Sequence, residues 1–288
     1  MSGELETGRI GLFSACLPGW DSRRVLDIAV SVGFSTIEWG SGPGHAIERP
    51  QSGSQLRDRC DRAGVLTGGV LVQDPEVSVA TPRRAARHVA VAVSLGATYL
   101  RLFAPRYRGG SLDREQRRAR EGVDCIVELA APHGLVVLVE TSPATLAPAP
   151  DLAAALVEHQ PPERAGVLYD PGNMVIEGHL APRLAIARLG SRLRHVHVKN
   201  IAWSRRAGVW RWRHAGLAQG MLNWREILAA LAAVRYAGRF SIDHLGATPT
   251  PARLRSESDH LRGLVAEAFA ARAALDHGVR SEGRQDLG

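Results

Sequence analysis

Eight short apolar runs, each followed by an amphipathic stretch, constrain this 288-residue chain more than any other feature. They are RIGLFSA (9–15), STIEWG (35–40), VLTGGVLV (65–72), TYLRLFA (98–104), LVVLVET (135–141), AGVLYD (165–170), LRHVHV (193–198) and RFSID (239–243). Their length and bounding residues read as buried strands. The segments between them read as helices, among them SRRVLDIAVSVG, GSQLRDRCDRAG, TPRRAARHVAVAVSLG, DREQRRAREGVDCIVELAAPHG and NWREILAALAAVRYAG. Asp21 or Ser22, Thr81 and Asn223 are the expected helix starts, and Gly closes several helices. Strict alternation implies parallel strands joined by helical crossovers. Eight such units predict an α/β fold, a single (β/α)8 TIM barrel over residues 1–275, followed by a flexible tail at 276–288. An open doubly wound sheet would want a Gly-rich dinucleotide loop after its first strand, and SACLPGWDS does not supply one.

Composition narrows the function classes. Apolar residues make up 45% of the chain, enough for a large core, yet no run approaches the roughly 18 apolar residues of a membrane span. The start, MSGELETGRIGLF, lacks the basic-then-apolar pattern of a secretory signal. Cys16, Cys60 and Cys125 have no CxxC spacing, so a disulfide framework is not expected and a cytoplasmic location is. The formal charge is +7, but the arginines are interleaved with Ala and acids along helix faces, so neither a nucleic-acid nor a membrane partner is expected. Lys199 is the only lysine in the chain. In a composition that uses Arg everywhere else, a lone lysine marks a place where a compact ammonium is needed.

Four of the strands end on metal-binding side chains: Glu140, Asp170, His197 and Asp243. Charged groups at the ends of buried strands need compensation. In a barrel these ends share one mouth, so the four side chains can converge on a divalent cation. Strand alternation puts His195, His197 and Lys199 on one face. His197 is then at the rim, His195 is a hydrogen-bonded core residue and Lys199 stands above the ion. Alternation turns His244 away from the axis. Glu38, at the end of the second strand, is either a pocket carboxylate or the partner of a buried arginine such as Arg101.

The segments GFSTIEWG, LGATYLRLFA, VLVETSPATL, LYDPGNMVIEGH, HVHVKN and AGRFSIDH resemble the xylose-isomerase-like barrel superfamily over about residues 9–270. That superfamily holds sugar phosphate isomerases and epimerases, ketose 3-epimerases, inosose dehydratases and endonuclease IV. The resemblance implies a cytoplasmic enzyme of carbohydrate metabolism, binding one divalent ion through Glu140, Asp170, His197 and Asp243. Mn2+ is favoured, with Mg2+, Co2+ and Zn2+ as alternatives. Glu140 and Asp243 would move protons on opposite sides of the substrate carbon, and Lys199 would hold a substrate oxygen. Asn173, Glu38, Trp203, Arg205 and Arg206 are the expected contacts to a small polyol, sugar or sugar phosphate.

The sequence also departs from the ketose epimerases. Asp243 stands where they usually have Glu, Asn173 where a His is common, and Ser142 where a His often follows the first acid. These changes favour a dehydratase of the inosose or dehydroshikimate type as runner-up, with a noncatalytic sugar-binding barrel behind it. A three-zinc nuclease is not expected, because strands two to four offer no inward histidine. The segment NIAWSRRAGVWRWRHAG reads as a loop over the pocket, serving either as a substrate lid or as a homo-oligomer interface. HLGATPTP is a weak phosphate-loop candidate.

Overall fold

All eight expected strands form in the computed structural model, which describes residues 8–40, 45, 50–72, 82–178, 180–245 and 249–282. They are β1 (Ile10–Phe13), β2 (Thr36–Trp39), β3 (Leu66–Val72), β4 (Tyr99–Phe103), β5 (Val136–Glu140), β6 (Ala165–Tyr169), β7 (Leu193–Arg206) and β9 (Arg239–His244). Each pairs in parallel with its neighbours, and β7 bridges β6 and β9 to close the barrel. A ninth strand, β8 (Val209–Ala215), is antiparallel to the outer half of β7 and lies outside the barrel.

The helices are α1 (Ser22–Val32), α2 (Pro50–Arg62), α3 (Pro82–Leu95), α4 (Leu112–Ala130), α5 (Pro150–Ala155), α6 (Pro171–Glu177), α7 (Pro182–Leu189), α8 (Trp224–Ala233) and α9 (Pro251–Glu282). Asp21 caps α1 by accepting from the Arg24 amide, and Asn223 caps α8 through the Glu226 amide. Thr81 lies outside the described residues. Apolar faces of the helices cover the barrel: Val25, Ala29, Ala92, Ile126, Leu231 and Val265 are all buried against it. Helix α9 runs to Glu282, beyond residue 275 where a tail is expected to begin. No helix among the described residues is long and apolar enough to cross a membrane.

The segment after the seventh strand differs from the expected loop. It is a β-hairpin in which Asn200 pairs with Ala215, Trp203 with Trp212 and Arg206 with Val209. The turn is Ala207-Gly208, with φ of 48° and 79°. Two positive φ angles in a two-residue turn match the right-handed twist of the flanking strands. Asn200 holds the base. Its amide donates to the carbonyls of Leu217 and Leu222, and its oxygen accepts from the amides of Ile201 and Leu222.

Candidate active site

Glu140 closes β5, Asp170 follows β6, His197 lies in β7 and Asp243 lies in β9. These strands are successive neighbours around the barrel, so four positions far apart in sequence meet at one mouth. All four side chains are buried. His197 Nδ1 stands 3.9 Å from Glu140 Oε1, 3.8 Å from Asp170 Oδ2 and 3.8 Å from Asp243 Oδ2.

The neighbouring residues explain the orientation of each group. Asp170 caps α6, its Oδ1 accepting from the Asn173 amide at 3.0 Å, which leaves Oδ2 facing the cluster. Asn173 Nδ2 donates to Glu140 Oε1 at 3.0 Å, so the structure places this residue on the first acid. Lys199 Nζ bridges Asp170 Oδ2 at 2.7 Å and Asp243 Oδ2 at 2.6 Å. Its stem lies over the start of α6, where a Cβ on Gly172 would come within 2.5 Å of Lys199 Cγ.

A second layer lies beneath the acids. Glu38 is fully enclosed: Oε2 is 2.8 Å from His197 Nε2, and Oε1 is 3.0 Å from Arg101 Nε. Arg101 Nη1 also lies 3.3 Å from Glu140 Oε2, while Phe13 packs 4.1 Å from the guanidinium carbon. Tyr99 donates to Glu38 at 3.0 Å, and His195 shares a 2.9 Å hydrogen bond with Ser241. Of the two roles open to Glu38 in the sequence, the geometry shows the arginine partner, with His197 as a second contact.

Burial alone would raise the Glu38 carboxyl, but Arg101 and then His197 outweigh it and hold it down to about 2. Burial pushes Glu140 up to about 7 against the pull of Arg101 and His197. Burial also drives His195 down to about 3, so that ring stays neutral. For Lys199 burial acts downward, yet Asp170 and Asp243 win and keep the amine charged. Charge counting exposes an imbalance. Glu38, Glu140, Asp170 and Asp243 are four buried carboxylates, facing only two buried cations, Arg101 and Lys199. With His197 neutral, as a metal-ligating imidazole must be, the excess among the described residues is two negative charges. In the metal-free barrel burial acts downward on His197, yet Glu38 outweighs it and raises the ring well above the usual imidazole range, and that charge offsets part of the excess.

A sequence model of the xylose isomerase-like TIM barrel family matches residues 26–264. The chain belongs to that family. No curated protein sequence matches this xylose isomerase-like barrel. Among solved structures it is similar to a xylose isomerase-like TIM barrel protein from Mycobacterium smegmatis in complex with magnesium. That pair shares 16% identity with a TM-score of 0.71, covering 92% of this chain and 99% of the other. D-psicose 3-epimerase with D-tagatose, from Clostridium cellulolyticum H10, has 16% identity and a TM-score of 0.71, covering 91% and 99%. The probable 3-DHS dehydratase AsbF from Bacillus anthracis, involved in petrobactin synthesis, has 19% identity and a TM-score of 0.67, covering 88% and 98%. At such identities the likeness is one of fold.

The residues of this xylose isomerase-like barrel fit a divalent cation. Glu140, Asp170 and His197 offer ligand atoms within 4.8 Å of one another. Ligands about 2.0–2.3 Å from one ion stand roughly 3–4 Å apart, as these donors do. Glu140 Oε2 and Asp170 Oδ2 are buried beside the cations Arg101 at 3.3 Å and Lys199 at 2.7 Å, and each carboxylate oxygen has a second lone pair with which to meet an ion. With His197 neutral and Glu140 ionised, a charge of +2 would also balance the cluster.

In this family member the Glu38–His197 bond has the form of a carboxylate that fixes a ligating imidazole. Glu38→Gln is expected to weaken Mn2+ binding about 10–100-fold, measured by isothermal titration. Wild-type affinity in that variant would show that Glu38 does not position His197.

The remaining candidates lie along the hairpin. Trp203 Nε1 donates to the Val175 carbonyl of α6 at 3.4 Å. Arg205 and Arg206 are exposed near the turn on opposite faces, so the structure does not bring either to the acids. The alternation expected at His244 is interrupted. Register jumps from Val198↔Ile242 to Lys199↔His244, leaving Asp243 as the extra residue of a bulge. His244 Nδ1 consequently sits 2.8 Å from Asp243 Oδ1, and its ring stacks on His214 at 4.3 Å. Part of HLGATPTP, residues 246–248, lies outside the described residues.

Proposed function

We propose that this barrel is a divalent-metal-dependent isomerase or epimerase of a small polyhydroxy ketone, free or phosphorylated. The observation that supports the reading is the convergence of the buried Glu140, Asp170 and Asp243 carboxylates within 3.9 Å of His197 Nδ1. Glu140, Asp170, His197 and Asp243 would hold the ion, with Mn2+ favoured and Mg2+, Co2+ or Zn2+ as alternatives. A divalent ion there polarises a carbonyl and stabilises negative charge on its oxygen. Glu140 would take the proton from the carbon beside that carbonyl, oriented by Asn173. Lys199 would donate a hydrogen bond to a substrate oxygen.

A dehydratase is the second reading, favoured by one specific contact. Lys199 occupies Asp243 Oδ2 at 2.6 Å and His244 occupies Oδ1 at 2.8 Å, so the last acid is engaged on both oxygens. An epimerase needs that carboxylate to exchange a proton on the far side of the carbon, whereas an elimination needs an acid for the departing hydroxide.

Elemental analysis separates these enzymes from a noncatalytic barrel. About one equivalent of a divalent metal is expected in the purified protein, with most of it lost in Glu140→Gln and in His197→Ala. Retention in both variants would place the ion elsewhere. Turnover of ketoses against inososes and 3-dehydroshikimate then decides between isomerase and lyase.

A further inference from the structure

The inward face of β7 continues beyond the acid cluster. His197, Lys199, Ile201, Trp203 and Arg205 follow one another at alternate positions on that face. Their cross-strand partners are His214 opposite Ile201, Trp212 opposite Trp203 and Trp210 opposite Arg205. One face of the hairpin therefore carries Trp203, Trp210, Trp212, His214 and Arg205. The other carries Arg206, Arg211 and Arg213, which separates the aromatic surface from the cationic one.

The aromatic face starts at the candidate active site. His214 stacks on His244, which holds Asp243, and Trp212 meets His214 edge-on with ring centroids 5.3 Å apart. Trp203 rests against α6, the helix capped by Asp170. Farther out the rings are open to solvent, with Trp212 42% and Trp210 62% exposed. The tight turn and the four hydrogen bonds of Asn200 fix this ribbon as a preformed wall.

Length decides what the wall can hold. At about 3.3 Å per strand residue, the Trp203–Trp212 pair stands roughly 13 Å from Lys199, and Trp210 roughly 20 Å. A six-carbon sugar, about five bonds of 1.5 Å, spans at most roughly 7 Å. One sugar at the acids reaches the His214–His244 pair and stops there. Trp212 lies one ring beyond that pair and Trp210 farther out, where a second unit would sit.

We propose that the β7–β8 hairpin is a second subsite and that the substrate is a two-ring glycoside. One ring would lie at Glu140 and Lys199, and the next would stack on Trp212 and Trp210. The apolar faces of pyranose rings present C–H groups that pack on the electron-rich face of indole. Arg205, opposite Trp210, supplies hydrogen-bond donors at the outer edge. This deepens the polyhydroxy-ketone reading above and rests on its placement of the reacting ring.

The test is titration of the Mn2+-loaded protein with glucose, cellobiose and 4-nitrophenyl β-D-glucopyranoside, by calorimetry. The two-ring probes are expected to bind at least about tenfold more tightly than glucose. Trp212→Ala with Trp210→Ala should abolish that difference while metal content and melting temperature stay at wild-type values. Equal affinities for one-ring and two-ring probes would overturn the proposal, as would no measurable binding of either two-ring probe. A preference that persists in the double variant would also overturn it. So would a wild-type dimer that the double variant converts to monomer, because the tryptophans would then belong to an interface between copies. Failure of the metal reading is separate, appearing as absent Mn2+ binding rather than as a lost ring preference.

Discussion

Arg101→Met is expected to lower the melting temperature of the metal-free protein by on the order of 10 °C. The guanidinium is 1% exposed and touches two equally buried carboxylates, Glu38 and Glu140. Removing one partner of a buried ion pair costs about 3–5 kcal/mol, because the charge left behind has neither water nor a counter-ion. Each kcal/mol moves the midpoint of a domain this large by roughly 2–4 °C. Methionine fills much of the volume and keeps the contact with Phe13, so the loss reports charge more than packing. Adding Glu38→Gln to Arg101→Met should recover part of the stability, since it removes one of the stranded carboxylates. Thermal melts of both variants check this. A single variant as stable as wild type would mean that Glu38 and Glu140 find protons or other partners without cost.

Lys199→Arg is expected to cut turnover by at least about 100-fold, measured as kcat/KM on whichever polyol the metal-loaded protein converts. Misplacement by about 1 Å is enough for a loss of that size. The ammonium fits between Asp170 and Asp243 at 2.7 and 2.6 Å, and its stem fills the space that a Cβ on Gly172 would need. A planar guanidinium is larger and donates in a fixed fork, so it cannot take the same place. The substitution keeps the charge and therefore tests shape. In the metal-free barrel the two aspartates keep the amine protonated against burial, so there Lys199 acts as a hydrogen-bond donor. Wild-type turnover in Lys199→Arg would reduce its role to charge balance.

Much of this architecture was legible in the sequence. Strand and helix periodicities are local properties, so the eight strands and the caps at Asp21 and Asn223 could be read from short windows. The placement of Glu140, Asp170, His197 and Asp243 at one mouth followed from the strand ends together with the barrel. Lys199 stood out by composition alone, and its contact with two aspartates accounts for a compact cation there. The hairpin was harder to see. Its Ala207-Gly208 turn is a weak signal beside the stronger Asn-Gly or Asp-Gly pairs, and the surrounding arginines resemble a solvated loop.

Sequence alone determined which residues could carry charge into the barrel, because every second position of a buried strand must face its interior. Tertiary structure alone decided how those charges pair. Glu38 and Arg101 lie on strands that are not neighbours, and Asn173 reaches from the first turn of α6 to Glu140. His244 pairs opposite Lys199 because a bulge at Asp243 breaks the alternation. Such contacts depend on register between distant segments, and register is settled by the packing of the whole barrel rather than by any one strand.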